Sequence, residues 1–149
     1  MSRYCPITQS EQSYLQCHEC GNDKKCEYFF CIVAGSRQFN NYDLLCDKLD
    51  FLLQNQGGKV IIIHGGCRGA DLLAERYAQH RGYEQITFLA EWDKYGKRAG
   101  YIRNREMHKF IAHFSKRGVV AFWDGKSKGT AHSFELANEF KNNLKVVRF

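Results

Sequence analysis

The residues best suited to bind or transform a ligand lie in a glycine-rich stretch behind a strongly apolar run. Four consecutive β-branched residues, 60–63, are followed by His64-Gly65-Gly66-Cys67-Arg68-Gly69-Ala70-Asp71. Such a run predicts a strand that is buried on both faces. Apolar residues after the turn recur at helical spacing, which predicts a helix. The start of that helix would present backbone N–H groups to an anion. The stretch therefore predicts an anion site, although a tight turn without a ligand fits the same spacing.

Two more glycine turns follow predicted strands. The apolar residues 29–34 end at Gly35-Ser36-Arg37, and residues 119–123 end in a turn that covers residues 124–130. The carboxyl ends of parallel strands meet at one edge of a sheet, and ligands bind at that edge in open α/β folds. The three turns together therefore predict one ligand site.

Strand and helix patterns alternate through residues 28–149, with further short strands predicted at residues 85–89 and 144–149. Residues 90–100 show no clear period and are predicted to form a long loop. This order predicts an α/β fold, a doubly wound parallel sheet of about five strands with helices on both faces.

Residues 1–27 form a small Cys-rich N-terminal appendage in this interpretation. Cys17 and Cys20 make a C-x₂-C pair, and Cys5 and Cys26 flank it at irregular distances. Four thiolates suit a tetrahedral structural zinc ion, which would supply folding energy to a segment with little core. A tail of reduced thiols is the alternative.

The charge of the chain favours anionic partners. Its 149 residues carry a formal net charge of +6, but no run of five basic residues occurs, so charge alone does not predict DNA binding. The sequence shows no signal peptide, and it has no apolar run close to the length of about 18 residues that a membrane span needs. The expectation is a cytoplasmic protein without a membrane partner, and no redox cofactor is predicted.

Four blocks of sequence together resemble the YspA-type branch of the SLOG superfamily. They are Ala34-Gly35-Ser36-Arg37, the stretch from His64 to Asp71, the stretch from Ala99 to Met107, and the stretch from Ala121 to Thr130. The resemblance covers about residues 28–149. It implies a Rossmann-like nucleotide site, because that superfamily includes the Lonely Guy phosphoribohydrolases, DNA-processing protein A, and sensors thought to bind nucleotides or ADP-ribose-derived signals.

The resemblance also implies which residues bind the ligand. A phosphate cradle is expected from Gly65, Gly66, Gly69, Gly129 and Thr130. Ser36 and Arg37 would flank it, and Arg103 and Asn104 would face the ligand from the long helix. The same turns contribute the remaining expected ligand residues, Gly35, Arg68, Gly125 and Lys128.

Two expected roles leave alternatives open. Asp71 would either hold a ribose hydroxyl or cap its helix, and the cap is the favoured role. An aromatic ring beyond a strand end would stack on a base, with Trp92 preferred over Tyr95 and Trp123. Trp123 in particular would otherwise close the core.

One position departs from the hydrolases in the superfamily. The Lonely Guy enzymes have a glutamate three residues after the threonine of their glycine-threonine motif, whereas this chain has Ser133. Glu135 lies two residues further on and faces another side of a helix. Glu106 is the remaining candidate for a catalytic carboxylate. An ion pair with Lys109 or Arg103 is its alternative role.

Three functions are compatible with these features. The first is a sensor or sequestering protein, such as a phage sponge for an immune signal, that binds a nucleotide or an ADP-ribose-derived small molecule. The second is a nucleotide N-glycosidase of the phosphoribohydrolase type, and the third, least favoured, is a module that binds single-stranded nucleic acid. The resemblance further implies a homodimer, and a viral origin would place the protein in the host cytoplasm.

Overall fold

A computed structural model describes residues 27–149. The Cys-rich segment, with the predicted zinc ligands Cys5, Cys17, Cys20 and Cys26, lies outside the described residues. The sheet contains five parallel strands in the order β3-β2-β1-β4-β5. Their bounds are β1 Phe29–Gly35, β2 Val60–His64, β3 Glu84–Thr87, β4 Arg117–Trp123 and β5 Leu144–Arg148. The predicted Rossmann-like α/β sheet is confirmed.

Helices connect the strands on both faces of the sheet. They are α1 Tyr42–Leu53, α2 Ala70–Arg81, α3 Trp92–Tyr95, α4 Ala99–Ile111 and α5 Lys128–Phe140, with a 3₁₀ turn at Gly96–Arg98 between α3 and α4. The prediction of a long loop at residues 90–100 is therefore wrong in its central part. A helix of four residues is too short to show a hydrophobic period, so the pattern could not reveal α3. Among residues 27–149, no helix is long and apolar enough to cross a bilayer.

The strand order reverses next to β1. The chain runs outward through β1, β2 and β3, then crosses back so that β4 pairs with the other side of β1. Gly35 is paired with Phe122, so β1 and β4 end at the same level. The helices that follow two neighbouring strands diverge to opposite faces at such a point, and a crevice opens between them.

Two apolar layers hold the helices against the sheet. On one face, Cys31, Val33 and Ile62 pack against α1 and α2, where Leu45 and Tyr77 are fully buried. On the other face, α4 and the residues after it cover the alternate side chains, in a cluster made of Phe30, Ile32, Ile61, Ile63, Met107, Phe110, Ile111 and Phe114. The central strands are buried on both faces, as their β-branched runs predicted.

We predict that Ile62→Ala lowers the free energy of unfolding by about 2–5 kcal/mol, because the substitution leaves a cavity under α1 and α2. Denaturant unfolding measures this change. Phe51→Ala is the matched control on α1, since the Phe51 side chain is 70% exposed and its loss should change the free energy by less than about 0.5 kcal/mol. Equal losses in both variants would contradict the assigned core.

Candidate functional site

A cavity of about 670 Å³ opens at the carboxyl ends of the strands, beside the reversal of strand order. We call it the cleft; it is lined by Ser36, Arg37, Gln38, Arg68, Trp92, Lys97, Gly100, Tyr101, Arg103, Asn104, Asp124, Lys126, Ser127 and Gly129. A recess of about 90 Å³ shares Arg37, Arg103 and Asn104 with it and reaches down to Asp71 and Thr130. A cavity of this size is in the usual range for sites of small molecules and cofactors.

Most of the predicted ligand residues meet in this space. The cleft or its recess is lined by Gly35, Ser36, Arg37, Arg68, Asp71, Trp92, Arg103, Asn104, Gly129 and Thr130. The predicted residues outside the lining are Gly65, Gly66, Gly69, Gly125 and Lys128.

The sequence did not single out several residues of the cleft, namely Gln38, Lys97, Gly100, Tyr101, Asp124, Lys126 and Ser127. Three of them belong to the glycine turn before α5, so the turn itself was a usable signal. Lys97, Gly100 and Tyr101 were missed because α4 begins at Ala99, earlier than the apolar period indicated.

Arg103 connects α4 to the turn after β2. Its side chain is 9% exposed, and Nη1 donates to the carbonyl oxygen of Gly65 at 2.8 Å. Nε donates to Asn104 Oδ1 at 2.8 Å, and Nη2 lies 3.7 Å from the Sγ of Cys67. A buried guanidinium needs acceptors for its N–H groups, and here protein atoms supply several of them. Gly65 is required at this contact, because a Cβ there would collide with the guanidinium of Arg103.

The carboxylate of Asp71 accepts backbone N–H groups of the turn after β2. Its Oδ2 accepts the N–H groups of Gly65 at 3.1 Å and Cys67 at 3.2 Å, and the N–H of Gly66 donates to Nδ1 of His64 at 3.1 Å. Burial raises the pKa of the Asp71 carboxyl, while the N–H of Cys67 and the charge of Arg103 act in the opposite direction. The amides of Gly65 and Gly66, which were expected to cradle phosphate, are thus already bonded inside the protein. The prediction that Asp71 caps its helix is wrong, because the carboxylate bonds the preceding turn and the start of α2 has no side-chain cap.

The start of α5 is open by comparison. Ser127 Oγ accepts the N–H of Thr130 at 3.3 Å, and Asp124 Oδ1 accepts the N–H groups of Lys126 and Ser127 at 2.8 Å each. The next two amides, of Lys128 and Gly129, belong to the first turn, where N–H groups have no partner within the helix. A Cβ built on Gly129 would meet nothing within 4 Å. This helix start can therefore accept an anion.

Most charged side chains around the cleft are positive, as an anion site requires. Its lining carries five cationic side chains, Arg37, Arg68, Lys97, Arg103 and Lys126, and one carboxylate, Asp124, among the residues that the structure describes. The N–H groups of Lys126 and Ser127 lower the pKa of Asp124, so this group is ionised at neutral pH. The excess of positive charge favours a ligand with several negative charges.

Two exposed rings stand beside these charges. Trp92 on α3 is 48% exposed and Tyr101 on α4 is 45% exposed, and both line the cleft. Trp123 is placed differently: its Nε1 donates to the carbonyl oxygen of Ser127 at 3.1 Å, which fixes the approach to α5. Tyr95 faces a separate crevice. Of the three rings expected to stack on a base, only Trp92 lines the cleft.

Glu106 lies away from the cleft. It is exposed and lines the small crevice of about 30 Å³ that also contains Tyr95. Ser133 is buried in the recess, and Glu135 is exposed. The predicted catalytic carboxylate is therefore outside the space in which a ligand would be held. Among residues 27–149, no group of three or more His, Cys, Asp or Glu side chains could hold a metal ion.

A polar contact joins α4 to the turn that follows α5. Asn142 Nδ2 donates to the carbonyl oxygen of His108 at 3.3 Å and lies 3.2 Å from His108 Nδ1. Further along, the Tyr101 ring meets the His132 ring edge-on at 4.7 Å. His108 Nε2 and His132 Nδ1 are buried with no hydrogen-bond partner in the described part of the chain. Burial lowers the pKa of His108 to about 4.

Comparisons with known proteins agree with this geometry. The model of the YspA, cpYpsA-related SLOG family matches residues 31–95. The gene 61 protein of Mycobacterium phage D29 is 32% identical over 123 residues, which cover 79% of this chain and 94% of that protein.

Two solved structures share the fold. One is DNA processing protein A of Helicobacter pylori, which binds single-stranded DNA. It superposes on this chain with a TM-score of 0.59 at 17% identity. DNA processing protein A of Streptococcus pneumoniae superposes with a TM-score of 0.55 at 19% identity. The alignments cover 79% and 80% of this chain but 64% and 50% of those chains.

We predict that His108 makes stability depend on pH. Its folded pKa lies below the unfolded value of about 6.5, so the unfolded chain binds the proton first as the pH falls. The contribution of neutral His108 to the free energy of unfolding is therefore complete above about pH 6.5 and is lost as the pH falls towards about 4. In His108→Gln, the loss of unfolding free energy between about pH 7 and about pH 4.5 should shrink by about 1–3 kcal/mol.

Denaturant unfolding at the two pH values measures this difference. The matched control is His80→Gln, because His80 is exposed on α2. The burial argument is refuted if His108→Gln and His80→Gln show the same pH dependence as the original protein.

Proposed function

The chain belongs to the YspA, cpYpsA-related SLOG family, and from this premise we propose that it binds a nucleotide or an ADP-ribose-derived small molecule in the cleft. The ligand is held without being cleaved, so the protein acts as a sensor or a sequestering protein. The observation that carries the proposal is the open start of α5 within a ring of cationic side chains.

In this proposal the phosphate groups occupy the α5 end of the cleft. The N–H groups of Lys128 and Gly129 point from the first turn, and the helix dipole adds a partial positive charge at that end. Arg37 and Lys126 line the same cavity and would neutralise further phosphate charge. This arrangement moves the cradle from Gly65 and Gly66, whose amides are bonded internally, to the turn before α5.

The two exposed rings of the cleft suit a base. Trp92 and Tyr101 are about half exposed although both are large and apolar, and both line the cleft. Stacking of one base on an aromatic side chain contributes about 1–3 kcal/mol. A ligand that has phosphate at one end and a planar base at the other would use both parts of the cleft.

Binding without cleavage is favoured over hydrolysis by the position of the carboxylates. N-glycosidic cleavage needs a carboxylate near the reacting ribose. Glu106 lines a different crevice, and Asp71 is committed to two backbone N–H groups. Asp124 does line the cleft, but the N–H groups of Lys126 and Ser127 lower its pKa, which makes it a poor proton donor to a leaving base. The gene 61 relative comes from a phage, and a sequestering role during infection would place the protein in the host cytoplasm.

Single-stranded nucleic acid is the second candidate ligand. The shared fold with DNA processing protein A of Helicobacter pylori favours it, as do the cations and rings of the cleft. A nucleic acid strand would bind with an affinity that falls steeply with salt, because each phosphate contact releases counterions. Competition between a fluorescent oligothymidylate and ADP-ribose, measured at several salt concentrations, separates the two candidates.

We predict that Gly129→Leu weakens binding of ADP or ADP-ribose at least about tenfold without destabilising the protein. The new side chain would enter open space in the cleft, and leucine favours a helix over glycine by up to about 1 kcal/mol. Titration calorimetry measures the affinity and thermal unfolding measures the stability. Asn138→Leu is the matched control, because Asn138 is exposed on the same helix, far from its start. Unchanged affinity in Gly129→Leu would reject the α5 site.

A further inference from the structure

We propose that Asp124 makes the cleft selective for a ribonucleotide whose ribose has free 2′- and 3′-hydroxyl groups. This inference rests on the proposed function and specifies the ligand of the same site. It follows from one unexpected feature, a carboxylate in the lining of a cavity whose other charged groups, among residues 27–149, are all cations.

The carboxylate of Asp124 is held in place by the backbone around it. Oδ1 accepts the N–H groups of Lys126 and Ser127 at 2.8 Å each, and the N–H of Asp124 itself donates to Ser36 Oγ at 3.3 Å. A carboxylate offers about four acceptor positions, and the two backbone N–H groups use both of those on Oδ1, which leaves Oδ2 for a ligand. The group is therefore fixed in direction and still able to accept hydrogen bonds from a ligand.

The turn that carries Asp124 favours glycine at position 125. Gly125 has a φ of +87°, a backbone conformation that residues with a side chain rarely adopt. The exposed guanidinium of Arg148 lies next to Gly125 and 5.4 Å from the centroid of the Trp123 ring. The tight turn places Asp124 directly after β4, at the rim of the cleft.

A fixed carboxylate selects hydroxyl groups and rejects phosphate. Phosphate oxygens would be repelled by Asp124, whereas they are attracted by the cations and the α5 amides. Hydroxyl groups donate to an ionised carboxylate in short, charge-assisted bonds, and Oδ2 of Asp124 can accept from two neighbouring hydroxyls. A ligand without hydroxyl donors would remove water from the carboxylate and give it no hydrogen bond in return, and such a ligand would bind more weakly.

The position of Asp124 matches the shape of a nucleotide. It lies just after β4 and four residues before Lys128, so a hydroxyl site and a phosphate site share one turn of chain. Trp92 lines the cleft from α3 and would take the base. A DNA strand has no free vicinal diol, so Asp124 also favours a small ribonucleotide over single-stranded DNA.

Titration calorimetry with the full chain tests the inference. The probes are ADP, GDP, CDP and UDP, their 2′,3′-dideoxy forms, and inorganic pyrophosphate. We expect the tightest ribonucleotide to bind on the order of 10–100-fold more tightly than its dideoxy form, the range expected for hydrogen bonds to a charged group. In Asp124→Asn this ratio should fall several-fold, while pyrophosphate binds equally well or better.

Asp47→Asn is the matched control, because it removes the same charge from an exposed position on α1. In Asp124→Asn the amide oxygen of the new side chain can still accept the N–H groups of Lys126 and Ser127, and an unchanged melting temperature will verify that the turn is intact. Equal binding of ribose and dideoxy forms to the original protein overturns the inference but leaves the proposed function intact. Failure of every nucleotide and of pyrophosphate to bind overturns both.

Discussion

The buried contact between Arg103 and the turn after β2 is the constraint on which the site depends. Arg103 reaches from α4 to the carbonyl oxygen of Gly65, and Asp71 accepts the N–H groups of Gly65 and Cys67 in the same turn. A cation and a carboxylate thus fix one short segment through its carbonyl and its N–H groups. Since α4 also carries Tyr101 and Asn104, this contact sets the position of one complete wall of the cleft.

This constraint decides where an anion can bind. Once Asp71 occupies the amides of the glycine turn, an external phosphate would have to displace a buried carboxylate there. At α5, Asp124 and Ser127 bond the amides of Lys126, Ser127 and Thr130 but not those of Lys128 and Gly129. Gly129 faces open space, and basic side chains from several segments line the same cavity. The two glycine turns at the switch point of the sheet therefore differ: Asp71 bonds amides of the turn after β2, whereas the Lys128 and Gly129 amides after the other turn are offered to a ligand.

The sequence predicted the framework better than it predicted the site. Consecutive β-branched residues identify a central strand because burial on both faces demands them, and β2 formed as expected. A glycine turn, in contrast, does not reveal which acceptor fills it. Here the acceptor is the side chain of Asp71, which follows Gly65 by six residues and bonds this turn instead of capping α2.

Side-chain direction limited the prediction in the same way. Glu106 and Arg103 are close in sequence on α4, yet Glu106 lines only the outer crevice whereas Arg103 reaches the cleft. Asp124 and Ser127 were passed over because their hydrogen bonds to backbone N–H groups depend on the exact path of the turn. Homodimer formation and the zinc ligands of the N-terminal segment remain predictions from the sequence.

We propose that an anion binds at the start of α5, because Asp71 already bonds the amides of the turn after β2. A crystal structure with the most tightly bound nucleoside diphosphate shows where the phosphates lie. We expect phosphate oxygens within about 2.7–3.2 Å of the backbone nitrogens of Lys128 and Gly129, with Asp71 still bonded to Gly65 and Cys67. Phosphate on the amides of Gly65 and Gly66, with the Asp71 carboxylate displaced, would contradict it.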